Sequence, residues 1–247
     1  MRSLSKKQAH ESLIRVKGLF KGFGRISVLR DLDLNLHGGE VLTILGPNGS
    51  GKTTLIKLLA TLTKPDKGSV QILGMDASDS GTTIRRHVGV VTHEPLLYLE
   101  LTGYENLKFT GRMFSLDRID ERIESVVDRL EIGPQLRQRI GTLSHGMRKR
   151  FSIARALLHD PLILLMDEPE SGLDQRALSL LDTVVSDQKA SGRTVVMTTH
   201  NLDRSVVQGH RIAVLVNGQI AYQESVGVDS NPTSIRTAYV QHTETNT

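Results

Sequence analysis

The 247-residue sequence predicts a mixed α/β fold: a mostly parallel sheet core, an antiparallel β subdomain and an α-helical insertion. Three observations carry this prediction. First, the apolar stretch Glu40–Leu45 runs into the glycine-rich stretch Gly46-Pro47-Asn48-Gly49-Ser50-Gly51-Lys52-Thr53, which opens the helical stretch Thr54–Ala60; strand, loop and helix follow one another directly. Second, Leu162–Met166 is a continuously apolar run of the kind buried on both faces of a parallel sheet. Third, residues from about 104 to 158 show helical spacing with almost no strand signal.

The remaining elements follow in chain order. Residues from about 12 to 37 read as antiparallel strands, since Leu32, Leu34 and Leu36 alternate with Asp31, Asp33 and Asn35. Pro65–Gly68 is a turn, Ser69–Leu73 a short strand, and His87–Thr92 an apolar-rich strand that ends at His93. Asp120–Leu130 places Ile123, Val126, Val127 and Leu130 on one helix face, and Gly133-Pro134 breaks that helix. Ser144 is the expected N-cap of the next helix, which runs through Phe151, Ala154 and Leu158. Residues 174–190 read as helix and Arg193–Thr199 as strand. Arg211–Val216 and Gln219–Tyr222 flank Asn217-Gly218, a hairpin turn. The reading is one domain over 12–225, with a helical subdomain over about 94–158, no internal repeat, and flexible termini at 1–11 and 226–247.

Composition narrows the function classes. Hydrophobic residues make up 38% and charged residues 23%, enough for a packed core. Only 4% are aromatic and Trp is absent, which gives little support to stacking on single-stranded nucleic acid. The net charge of +4 fits phosphate ligands or an anionic membrane surface, because Lys and Arg are scattered apart from Arg148-Lys149-Arg150. The absence of Cys excludes disulfides, zinc–thiolate sites and cysteine nucleophiles. The basic N-terminus lacks a following apolar stretch and does not read as a secretory signal. Apolar runs fall far short of the ~20 residues of a membrane helix, so a membrane process would need another chain to cross the bilayer.

The loop at 46–53 has the chemistry of a phosphate cradle. Gly46, Gly49 and Gly51 let the backbone approach a polyanion and turn its N–H groups inward. The helix start adds unpaired N–H groups and the positive end of its dipole. Lys52 supplies a charge for the β- and γ-phosphates and Thr53 a hydroxyl for magnesium. Gly46, Pro47, Asn48, Gly49, Ser50, Gly51, Lys52, Thr53 and Thr54 are the candidate nucleotide-binding residues; a glycine turn with a solvated lysine is the bland alternative. Asp167 and Glu168 end the buried strand at 162–166, where ligands sit in open α/β sheets. Asp167 is a candidate magnesium ligand and Glu168 a candidate for polarising the attacking water. Ser144 and Gly146 at a helix start form a second anion site, with ordinary capping as the competing reading. His200 follows a strand and reads either as a γ-phosphate contact or as an ordinary surface histidine.

These stretches, in this order, resemble the ATP-binding subunits of ABC transporters over about residues 12 to 225. Gly46–Thr54 matches the Walker A loop, Leu143–Met147 the signature sequence, and Leu162–Glu168 Walker B with its catalytic glutamate. Ser171–Asp174 is similar to the D-loop, His200 to the switch histidine, and Phe23 sits where the family places an aromatic against adenine. The resemblance implies ATP and magnesium as ligands. It implies a head-to-tail pair, either a homodimer or a pairing with a second ATPase subunit, in which Ser144 and Gly146 of one chain reach the γ-phosphate held by the other. It also adds Asp174 to the nucleotide site. It further implies integral membrane partners reached through residues 93–107, a cytoplasmic place on the inner face of the cell membrane, and no nucleic acid. His93–Tyr98, Leu101–Leu107 and Glu168–Gln175 resemble more narrowly the heme-exporter ATPases of cytochrome c maturation.

Three departures from the family pattern stand out. His93 replaces a Gln that contacts magnesium and the attacking water; imidazole serves a metal only when neutral, which implies a steeper loss of activity on acidification. His145 and Met147 replace Gly and Gln in the signature. Gly172 replaces Ala in the D-loop, a small-for-small change expected to matter little. The rivals are a soluble ABC ATPase of DNA repair or the ribosome, whose elaborations do not fit this length, and a P-loop kinase, which has no use for the signature helix.

Overall fold

The computed structural model describes residues 12–201, 209–226 and 232–244. The alternation at 31–36 forms as expected: Leu32, Leu34 and Leu36 are buried while Asp31, Asp33 and Asn35 are exposed. They lie on β2 (Ile26–His37), which pairs antiparallel with β1 (Ser12–Phe23), Ile14 opposite Leu36 and Val16 opposite Leu34. With β4 (Lys67–Ile72) and β5 (Met75–Asp76) these strands form a four-stranded sheet, ordered β2-β1-β4-β5.

A six-stranded sheet holds the functional edge. Its strands are β3 (Val41–Leu45), β6 (Val88–Val91), β7 (Ile163–Asp167), β8 (Thr194–Thr199), β9 (Arg211–Val216) and β10 (Gln219–Ser225), in the order β10-β9-β3-β8-β7-β6. All neighbours are parallel except the β9–β10 hairpin. Asn217 and Gly218 at the hairpin tip have φ of 50° and 81°, as a primed turn requires. The tip is tied down: Arg30 N donates to Gly218 O at 3.0 Å, and Gly218 N to Ser50 O at 3.2 Å.

The period of two explains why β7 is apolar throughout. Leu165 packs in the cluster between the two sheets, with Leu36, Ile44, Ile56 and Val196. Its neighbours Leu164 and Met166 face the opposite cluster, with Leu107, Ile123, Phe151 and Leu181. The first cluster includes Leu55, Ile56, Leu58 and Leu59 of α1 (Lys52–Leu59). The short α2 (Gly81–Arg85), absent from the sequence reading, leads into β6. The helical insertion comprises α3 (Gly103–Met113), α4 (Ile119–Arg129) and α5 (His145–Leu157), and α6 (Gln175–Ala190) covers the same face of the sheet. Thr102 and Glu105 cap α3 reciprocally: Glu105 N donates to Thr102 Oγ1 at 3.2 Å and Thr102 N to Glu105 Oε2 at 2.8 Å.

The expectation of a frayed chain from 226 onward is corrected by α7 (Pro232–Glu244). Ile235 is fully buried against Leu45, Ile212, Val214 and Val216, and Tyr239 packs beside it. Residues 235, 238 and 239 make a short apolar face, too brief within polar surroundings to stand out in the sequence. The N-terminal residues 1–11 lie outside the described residues.

One partly buried histidine gives the fold a pH dependence. His159 stacks on Phe114, ring centroids 4.1 Å apart, and its Nε2 is 3.2 Å from Val88 O while Nδ1 has no partner among the described residues. Burial pushes its pKa down from 6.5 to about 4, with Arg155 adding to the effect and the Val88 carbonyl opposing it. A histidine kept neutral in the fold but protonated in the unfolded chain loses stability as pH falls from its unfolded to its folded pKa. We therefore expect unfolding free energy to drop by about 2 kcal/mol between pH 7 and pH 5 from this group. Denaturant unfolding of His159→Gln at both pH values checks it: the wild-type advantage should narrow by that amount.

Candidate nucleotide site

The parallel register brings four strand ends to one edge. Leu45 lies opposite Thr199, and Asp167 opposite Thr198, so the segments after β3, β7 and β8 leave the sheet side by side. His93 follows β6 at the same edge and is exposed. This is the place where open α/β sheets take their ligands.

The loop after β3 turns on Gly49 and Gly51, with φ of 80° and 109°, dihedrals closed to most L-residues. Gly51 is the N-cap of α1 and gives it no side-chain cap, so the first N–H groups of the helix are available to an anion. Lys52 is buried, and its Nζ donates to Gly46 O at 2.7 Å and Pro47 O at 3.1 Å. Ser50 Oγ is buried and has no hydrogen-bond partner among the described residues. A cavity of about 270 Å³ is lined by Val28, Asn48, Gly49, Gly51, Lys52, Thr53, Thr54 and Glu168. Val28 was not singled out in the sequence, where nothing marks a valine for such a position.

Beside this loop, Asp167 is 2% exposed. Thr53 Oγ1 donates to its Oδ2 at 2.7 Å and Thr198 Oγ1 to its Oδ1 at 2.7 Å. A carboxylate and a hydroxyl in contact, with no sulfur or imidazole between them, form a hard oxygen pair that suits magnesium. Groups of three or more His, Cys, Asp or Glu able to cage a metal by themselves are absent among the described residues, so phosphate and water oxygens would complete the shell.

Glu168 has φ of 44°, an uncommon backbone state for a non-glycine residue. Its N–H donates to Thr198 Oγ1 at 3.0 Å. Its carboxylate lies between two of the sequence-chosen residues, 3.8 Å from Lys52 Nζ and 3.6 Å from His200 Nδ1. Lys52, Thr53, Asp167, Glu168 and His200 thus come together although they are spread over 149 positions of the chain. Thr198, not anticipated, orients both Asp167 and Glu168.

Other candidates stand apart from this group. Ser144 caps α5, accepting from Met147 N at 3.3 Å, and is exposed with Gly146 nearby. Asp174 caps α6, accepting from Ala177 N at 2.7 Å, and pairs with Arg150 Nη2 at 3.7 Å. Phe23 is half exposed at the β1–β2 turn with Lys21 Nζ 5.4 Å from its ring centroid, and does not line the loop cavity.

The small-for-small reading of Gly172 is corrected. Its φ is 74°, and a Cβ there would lie 2.4 Å from His145 Nδ1. The His145 imidazole would have to turn aside for a side chain at 172, and the positive φ would remain strained for any residue but glycine. We expect Gly172→Ala to cost about 1–3 kcal/mol of stability. Adding His145→Gly removes the collision but keeps the dihedral strain, so it should restore part of the loss. Melting curves of the two single variants and the double variant measure this coupling.

Fold and edge together define a P-loop nucleotide-binding protein. The ABC transporter family model matches residues 29–171, more than half of the chain. The chain belongs to the ABC transporter family, as an ATP-binding subunit. The daunorubicin/doxorubicin resistance ATP-binding protein DrrA of Streptomyces peucetius is 36% identical over 216 residues, covering 87% of this chain and 66% of that protein. The ABC transporter ATP-binding protein NatA of Bacillus subtilis is 33% identical, covering 80% and 82% of the two chains. The Nod factor export ATP-binding protein I of Cupriavidus pinatubonensis is 34% identical, covering 84% and 65%. The chain thus spans slightly less than two thirds of the length of the first and third relatives. Among solved structures, a dimeric ATP-binding cassette in a post-hydrolysis state with ADP and Pi has TM-score 0.80 at 28% identity, covering 87% of this chain and 99% of that one. An ATP-binding subunit of an ABC transporter has TM-score 0.85 at 26% identity, covering 93% and 100%.

Proposed function

We propose that this chain hydrolyses ATP to power an ABC-type membrane exporter, working as a pair of ATPase subunits that close on the nucleotide. The carrying observation is the Glu168 carboxylate held between Lys52 and His200, beside the Thr53–Asp167 contact. Lys52 and the loop N–H groups would bind and orient the triphosphate. Thr53 and Asp167 would hold magnesium, which supplies charge neutralisation at the β- and γ-phosphate oxygens. Glu168 would accept the proton of the attacking water, and His200 would hydrogen-bond the γ-phosphate. His93 is assigned to the same edge, beside metal and water. Phe23 would stack on adenine. Ser144, Gly146 and Asp174 would complete the partner's site, which accounts for their separation from this chain's own loop. Terminal phosphate between the two copies then acts as the closing contact, and hydrolysis removes it.

A membrane partner is supported by the surface of the helical insertion. Leu96, Tyr98, Leu99, Phe109 and Met113 are exposed together around the start and outer face of α3, Tyr98 and Phe109 edge to face at 5.3 Å. No helix among the described residues is long and apolar enough to cross a membrane. This patch would therefore seat a membrane-spanning subunit, placing the chain on the cytoplasmic face of the membrane. Exporter direction is supported by the names of relatives concerned with drug resistance and Nod factor export. Heme export is one member of that class, supported by the stretches at 93–98, 101–107 and 168–175.

Co-purification tests this reading. The chain extracted from membranes in mild detergent should carry a multi-span protein and show magnesium-dependent ATP hydrolysis. Salt-sensitive nucleic-acid binding without a membrane partner would replace it with the repair or ribosomal reading.

A further inference from the structure

The start of α5 carries a buried cation that neither the phosphate loop nor the carboxylate pair accounts for. Lys149 is 3% exposed. Its Nζ donates to the backbone carbonyl of Thr92 at 3.3 Å, across 57 positions of sequence. Thr92 is the first residue after β6 and directly precedes His93. The same ammonium interacts electrostatically with Asp167, Glu168 and Glu170, the acidic run that leaves β7. The next residue, Arg150, pairs with Asp174.

An ammonium has three donors and no acceptor, and it is costly to bury without nearby negative charge. Packing alone would be met by Met or Leu, as it is by Phe151 and Ile153 on the same helix. A buried lysine that donates to one backbone carbonyl, within the electrostatic influence of a carboxylate run, is therefore placed for charge and direction. Burial itself lowers its pKa and those carboxylates oppose the shift, as this placement requires.

We propose that Lys149 is a positioning residue for ATP hydrolysis, tying the signature helix to the Thr92–His93 segment of the same chain. The proposal rests on the ATPase reading above. Ser144 and Gly146, at the head of α5, would meet the partner's nucleotide, whereas Lys149, little more than one turn further on, addresses this chain's own reacting edge. Seating of one nucleotide is thereby felt where the other is hydrolysed. Lys149 itself touches neither nucleotide.

Two readouts on the full chain test it, using Lys149→Met, which keeps the stem, and Lys149→Arg, which keeps the charge. Amide exchange of residues 92–98 in the nucleotide-free protein should quicken about 10-fold in Lys149→Met and return towards wild type in Lys149→Arg. Steady-state kinetics with Mg-ATP should show kcat lowered about 10-fold or more in Lys149→Met with KM within about 3-fold, and substantial recovery in Lys149→Arg. Unchanged exchange, or wild-type kcat in Lys149→Met, overturns the role of Lys149 and leaves the ATPase reading standing. Equal loss of kcat in both variants, with a matching fall in melting temperature, also overturns it, since that is general misfolding. A wild-type chain without turnover overturns the ATPase reading and this proposal with it.

Discussion

Lys52→Ala should abolish ATP binding while leaving the fold intact. The ammonium is already confined within the loop, 2.7 Å from Gly46 O and 3.1 Å from Pro47 O, so little ordering is needed when it exchanges those carbonyls for phosphate oxygens. Charge-assisted hydrogen bonds contribute about 1.5–3 kcal/mol each, and two of them lost correspond to about 10²-fold or more in affinity. The loop also keeps backbone bonds that do not involve this side chain, Ser50 N donating to Pro47 O and Leu55 N to Gly51 O. The melting temperature should therefore stay close to that of the wild type. Titration with a fluorescent ATP analogue, alongside a thermal melt, checks both halves; affinity near wild type would remove the loop from the nucleotide site.

Glu168→Gln should stop hydrolysis and keep binding. The amide retains the shape and most contacts of the side chain but cannot accept the proton of water, and loss of a general base costs about 10²–10⁴ in rate. Nothing in the loop changes, so the Kd for ATP should stay within about 3-fold of wild type. The positive φ at 168 is set by the backbone and by the bond from Glu168 N to Thr198 Oγ1, both of which survive the substitution. Single-turnover and steady-state assays at saturating Mg-ATP read the effect. Wild-type turnover in this variant would exclude Glu168 as the base.

The parts of this molecule that were legible in its sequence are those whose physics is local. Gly46–Thr53 announces a phosphate loop because strand, glycines and helix start are contiguous. Asp167 and Glu168 stand out because they end an apolar run, and Ser144 because a cap is defined by its immediate neighbours. What the sequence hid depends on distant partners. Thr198 becomes an orienting residue only because β8 lies beside β7 in register, 31 positions away from Asp167. Val28 enters the loop cavity because β2 crosses near Gly51. Gly172 matters because the folded D-loop holds it at φ 74° beside His145, and Lys149 looks like one more surface cation in Arg148-Lys149-Arg150 until α5 is packed on the sheet. Phe23 entered only through family likeness, and it is exposed and does not line the cavity.

Nucleotide-dependent pairing of two chains is the claim on which the roles of Ser144, Gly146, Asp174 and Lys149 depend. The direct measurement is the mass in solution of the Glu168→Gln protein, by sedimentation or light scattering, with and without ATP. The account predicts about 27 kDa without nucleotide and twice that with it, reversed when Lys52→Ala is added. A single monomer mass at every ATP concentration, with binding demonstrated in the same sample, would contradict it.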